Sequence, residues 1–337
     1  MRVDRVLFGN PARNGAFRRR IAVSVRTLVL SITYGLLLAA TLAQLSWAQS
    51  SDLFAAGGAG APEKPQINAA LIPTADHVVL VLAAQRGFFK AEGLDVNLRV
   101  ISPAAAVASL LSGDLDVTTV TWIQLLTATA RNIDLKVVTE TDRGRPGYTS
   151  FVTRVGSDIK SPADLMARKV AVVVTNGTCD LLLNDYLAKN NSDYKSIRYA
   201  TLGIPDMVPT LLREGIDAAC LPEPLLSTTR KQGVIREIHD LFSGDYADWP
   251  ITTYSVSAAF AARNPNTVGA LRRAIEKSLK ILNENPDEAR ALIPSYTPIP
   301  ADVAKEIVLP LYPAKSDPQV AVRVADLLRR SNLLGAK

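Results

Sequence analysis

From residue 66 onward the apolar positions fall into two alternating rhythms, short β-branched runs and longer stretches with helical spacing. Ile67–Ile72 reads as a strand, Val78–Arg86 as a helix and Val96–Ile101 as a second strand. Pro103–Leu111 reads as a helix closed by Gly113, and Asp116–Thr121 as a third strand. Further on, Ser161-Pro162-Ala163-Asp164 has the make-up of a helix start, with serine as N-cap, proline at the first helical position and an acid at the third. Lys169–Thr175 is a buried β-branched strand, Thr178–Lys189 a helix directly after it, and Ile251–Ala261 another strand. From Asn264-Pro265 the chain turns helical, with Val268, Leu271, Ile275, Leu279 and Leu282 on one face. Strands alternating with helices predict parallel sheets covered by helices on both faces.

One pattern occurs twice. Leu110-Leu111-x-x-x-Leu115-Asp116-Val117 recurs as Leu211-Leu212-x-x-x-Ile216-Asp217-Ala218, each time between a proline-started helix and a strand. The echo predicts two similar α/β lobes.

The ends change the meaning of the charge. Seven arginines (Arg2, Arg5, Arg13, Arg18, Arg19, Arg20 and Arg26) precede an apolar stretch, Leu28 to Leu45, and then Ser46-Trp47-Ala48. That order is the order of an export signal, 1–48, cut after Ala48 and leading to the periplasm of a two-membrane bacterium. The chain holds 38 basic and 32 acidic residues; seven of the former and Asp4 lie in 1–48, so the +6 net charge belongs to the leader and the remainder is neutral. The high isoelectric point is therefore no argument for nucleic acid. Residues 49–65, rich in Ser, Ala, Gly and Pro, read as a flexible linker. The chain beyond residue 65 is long enough for two lobes at about 100–200 residues per domain. An exported chain can join its two cysteines, Cys179 and Cys220, and both a disulfide and two half-buried thiols are compatible with the sequence.

The run Ala83-Ala84-Gln85-Arg86-Gly87-Phe88-Phe89-Lys90-Ala91-Glu92-Gly93-Leu94-Asp95-Val96 resembles the first lobe of solute-binding proteins of the nitrate/sulfonate/taurine and thiamine-pyrimidine group of ABC transporters. The resemblance implies a type II periplasmic-binding-protein fold. In it two α/β lobes, 66–150 with 251–337 and 151–250, are joined by a two-strand hinge with the ligand cleft between them. It further implies a monomeric receptor that binds a small solute and delivers it to an inner-membrane permease and its ATPase. Two other readings stay open, a sensor lobe signalling through a membrane partner and an enzyme like the pyrimidine-forming proteins of thiamine synthesis.

Ligands of open α/β sheets gather beyond the carboxyl ends of the strands, and four segments fall there. After the first strand, Thr74, Asp76 and His77 offer oxygens and a switchable ring nitrogen. At the end of the third, Thr121 supplies a hydroxyl and Trp122 a ring for stacking. Asn176-Gly177-Thr178-Cys179, between a strand and a helix, is placed to meet an anion with free backbone N–H groups. Glu223 follows the strand that starts at Asp217, and Tyr254 lies near the returning crossing. Asp142-Arg143-Gly144-Arg145 reads as a solvated turn at a hinge. No catalytic, metal-binding or phosphate-loop motif appears, so no enzyme activity, metal or cofactor is expected. Asp76 and Glu223 weigh against a bare inorganic anion and for a solute with an amine or N–H, an aminosulfonate, with a nitrogen heterocycle as the rival.

Overall fold

The computed structural model describes residues 52–313 and 315–334. The export signal 1–48 and its cleavage point lie outside the described residues. The described chain begins the first lobe with β1 (Gln66–Leu71), helix α1 (Val78–Gln85), β2 (Asp95–Val100), α2 (Ala106–Ser112), β3 (Thr118–Thr121), α3 (Trp122–Ala130) and β4 (Leu135–Arg143). It then builds β5 (Thr149–Arg154), β6 (Lys169–Val172), α4 (Thr178–Lys189), β7 (Arg198–Thr201), α5 (Ile204–Leu212), β8 (Ala218–Pro222), α6 (Leu225–Lys231) and β9 (Ile235–Asp240). The return is β10 (Pro250–Ser257), followed by α7 (Ala258–Arg263), α8 (Pro265–Glu284), α9 (Pro286–Leu292) and α10 (Gln319–Arg330).

The strands fall into two bodies with one design. In the second, the order is β7-β6-β8-β5-β9. In the first, β1 pairs with β2, and β3-β10-β4 forms a second ribbon. A bridge from Ala69 to Val117 joins the two, which makes the order β2-β1-β3-β10-β4. Each body thus has one antiparallel strand supplied from across the connection, β10 in the first and β5 in the second. The first crossing falls slightly ahead of the expected point, because β5 is already paired with β8 at Thr149.

The sequence echo marks the same corner in both bodies. Leu110 and Leu211 are buried while Leu111 and Leu212 are exposed. Asp116 accepts from the backbone N–H of Asn68 at 3.0 Å, and Asp217 accepts from that of Lys169 at 2.7 Å. Each aspartate latches the entry of one strand to its parallel neighbour, β3 to β1 in the first body and β8 to β6 in the second. The G-F-F run is likewise architectural. Gly87 ends α1 at φ 69°, and Phe89 and Leu94 enter the core.

Two expectations change. Leu53–Pro65 is not a free tether but is laid along the first body. Phe54 bridges to Val137, Ala55 N–H donates to Val137 at 2.8 Å, and Gly58 N–H donates to Pro265 at 2.8 Å. Its glycines serve close packing: a Cβ on Gly58 would stand 2.1 Å from Asn266 Oδ1, and one on Gly269 of α8 would stand 2.0 Å from the Gly58 carbonyl oxygen. The strand expected over Ile251–Ala261 stops at Ser257, whose hydroxyl accepts from the Phe260 N–H and starts α7.

Candidate functional site

The two bodies meet around a cavity of about 180 Å³. That is room for several waters or one small organic molecule. Parallel strands present their carboxyl ends to it, through Ile72 after β1, Thr119 and Thr121 of β3, Asp142 of β4, Val173 after β6, Pro222 of β8 and Leu241 after β9. The antiparallel strands present their amino ends, Thr149 of β5 and Thr252 of β10. Each lobe thereby supplies one wall.

Of the residues singled out from the sequence, Thr74, Asp76, His77, Thr121, Gly177, Thr178 and Cys179 come together in this lining. His77 is sealed and neutral. Its Nδ1 accepts from the Ile72 N–H at 3.3 Å, which leaves the proton on Nε2 to donate to Thr119 Oγ1 at 3.0 Å. Burial pushes its pKa down. Thr121 caps α3 by accepting from the Gln124 N–H at 3.1 Å, while Gln124 Oε1 accepts from the Thr121 N–H at 3.1 Å. Cys179 and Cys220 form a disulfide with Cα atoms 6.3 Å apart, tying the start of α4 to β8.

Four of the residues do not line the cavity. Trp122 is the first residue of α3 and is fully buried against Phe54, ring centroids 6.1 Å apart. Tyr254 is fully buried deeper along β10; because that strand is antiparallel, its start, Thr252, is what reaches the cleft. Asn176 adopts a left-handed turn (φ 57°) and lines a separate pocket with Asn184, Lys189 and Arg330. Glu223 is fully buried. It accepts from Ser227 N–H at 3.1 Å, Ser227 Oγ at 2.6 Å and the N–H of Val308 at 3.2 Å, so it fastens β8 to the C-terminal segment.

The anion corner at the start of α4 is also changed. Asp180 folds back and accepts from the N–H groups of Asn176 at 2.6 Å and Gly177 at 2.8 Å. The helix N-terminus thus holds its own carboxylate, whose pKa burial pushes up to about 6.

Reasoning from sequence missed Asp142, Tyr148, Thr252 and Phe242, which all line the cavity. The Asp142–Arg145 run is not a solvated turn at its first two positions. Arg143 is held by Glu140 at 2.8 Å, and Asp142 is 1% exposed. Asp142 Oδ1 accepts from the Thr252 N–H at 3.2 Å and from the Thr252 hydroxyl. Burial, and then the charge of Asp76, push its pKa well above the usual aspartate range. Tyr148 and Phe242 are stacked, centroids 6.2 Å apart and planes 24° from parallel. Among the described residues, no group of three or more His, Cys, Asp or Glu is arranged to hold a metal ion.

A two-lobed α/β molecule with its cavity at the facing strand ends is a type II periplasmic-binding-protein fold, and the comparisons agree. The family profile described as NMT1/THI5 like matches residues 74–289, and the chain belongs to that family. No curated relative matches the sequence. Among solved structures, the alkanesulfonate-binding protein SsuA from Xanthomonas axonopodis pv. citri, bound to MOPS, is similar at TM-score 0.69 and 18% identity. That match covers 81% of this chain and 95% of the other. The periplasmic nitrate-binding protein NrtA from Synechocystis has TM-score 0.71 and 18% identity over 82% of this chain and 84% of its own. The periplasmic aliphatic sulphonate-binding protein SsuA from Escherichia coli has TM-score 0.63 and 19% identity, covering 81% and 89%. At these identities the likeness is one of fold. Among the described residues, no helix is long and apolar enough to cross a membrane.

Proposed function

We propose that this protein is the periplasmic substrate-binding component of an ABC importer, exported by residues 1–48 and capturing one small organic solute between its lobes as a monomer. The observation that carries this reading is the cavity lined from both lobes by the ends of both sheets. A solute there contacts Thr74, Asp76 and Thr121 on one side and Gly177, Thr178 and Cys179 on the other, so it binds the closed arrangement better than an open one. The crossings between β4 and β5 and between β9 and β10 are the places where the backbone absorbs that motion. The closed form is then the form that docks on the inner-membrane permease and its ATPase. No chemical step is assigned, and no cofactor or nucleic acid takes part.

Nitrate, sulfonates and taurine-like aminosulfonates are one end of the expected ligand range, and a nitrogen heterocycle such as a thiamine pyrimidine precursor is the other. Asp76 and Asp142 in the lining weigh for a nitrogen-bearing ligand. The importer role is tested by adding the solute-loaded protein to its reconstituted permease–ATPase pair. ATP hydrolysis should rise with the loaded form and not with the emptied one. No response to either would sink the importer role and favour a sensor.

A further inference from the structure

Among the described residues, the two carboxylates of the cavity wall have no lysine or arginine as counter-charge. Asp142 and Asp76 are both buried, and both line the cavity. Asp142 takes its hydrogen bonds from Thr252, onto one oxygen. Among the described residues Asp76 has only His77 within ion-pair range, at 3.7 Å, and that ring accepts the Ile72 N–H on Nδ1 and so carries a single proton. Among the described residues no lysine or arginine lines the cavity. Arg145 and Arg290 act on the neighbouring Tyr312 but stand outside the lining.

Two further observations point the same way. Just ahead of α4, Asp180 occupies the N–H groups of Asn176 and Gly177 and adds a third acid close to the cavity. The stacked Tyr148 and Phe242 put two aromatic rings on the wall, and ring faces attract cations. A buried carboxylate keeps its charge only beside a partner, and among the described residues the cavity lining provides none. We propose that the ligand provides it: the cavity takes an organic cation, a protonated amine or amidinium, with its positive nitrogen at Asp76 and Asp142 and its apolar body against Tyr148 and Phe242. This rests on the reading of the protein as a solute receptor and goes beyond it in setting the sign of the ligand's charge. It assigns the opposite sign to that of the free nitrate or sulfonate that the structural relatives are named for.

The test is isothermal titration of the protein from Gln49 onward with three flat molecules of matched shape, benzamidinium, benzamide and benzoate. Benzamidinium should bind at least about tenfold more tightly than benzamide, and benzoate should not bind. Asp142→Asn should weaken benzamidinium by about thirtyfold or more and benzamide by far less, a selectivity change that loss of fold cannot imitate. Benzoate binding as tightly as benzamidinium would overturn the charge assignment and leave the receptor reading standing. Binding by none of the three would also overturn the assignment. The receptor reading would then be judged separately, by whether the protein carries a solute from its own periplasm.

Discussion

At the scale of single residues, Asp142 is the most consequential group in the cavity. Its folded pKa is raised, by burial first and by Asp76 second. The unfolded chain titrates near the usual aspartate value of about 3.9. Between those two values the folded protein binds a proton that the unfolded chain has lost, so stability falls as pH rises through that interval. Asp142→Asn stays neutral and still offers Oδ1 to Thr252. Thermal melts of the ligand-free protein should therefore show equal Tm for wild type and variant below the usual carboxylate range. The variant should gain on wild type as pH rises above the usual carboxylate range and melt higher at neutral pH; a variant that melts lower at neutral pH would contradict this. Asp142 was not legible in the sequence because Asp-Arg-Gly-Arg has the composition of a solvated turn. Its burial is set by β10 and Thr252, more than a hundred residues away. Trp122 was misjudged for a related reason, since Phe54, which covers it, lies in a segment that showed no periodicity.

At the scale of elements, strand and helix boundaries were largely readable, because β-branched runs and capping residues are local signals. Thr178–Lys189 and the buried face of Pro265–Glu284 are found where periodicity puts them. Strand direction was not local. That β5 and β10 run antiparallel follows from the chain crossing between lobes, and it exchanges Tyr254 for Thr252 at the cleft. The glycine-rich run before β1 shows a second limit of composition, since the same residues serve a flexible chain or a tight contact. Gly269→Ala separates these. An isolated helix would gain about 1 kcal/mol from the change. Here the added Cβ meets the Gly58 carbonyl oxygen at 2.0 Å, so overpacking should outweigh the gain and cost about 1–3 kcal/mol in urea unfolding. A stabilised variant would mean that residues 53–60 are not docked on α8.

At the scale of the whole molecule, two copies of one design face each other across a cavity. The repeated Leu-Leu-x-x-x-apolar-Asp pattern was the sequence's trace of that symmetry, and Asp116 and Asp217 give it a physical basis as matching strand latches. Ligand identity left no such trace. It depends on which side chains converge from eight strand ends, and the chain order separates Asp76, Asp142 and Thr252 widely. Family membership and likeness of fold define what kind of molecule this is; the lining decides what it holds. The most direct measurement is native mass spectrometry of the protein purified from its own periplasm without added ligand. A receptor should carry a bound species of small-molecule mass at one per chain, lost on denaturation and absent when the cavity is blocked by Thr121→Trp. A protein that is empty from its periplasm, and stays empty after exposure to the small-molecule fraction of that compartment, is not a solute receptor.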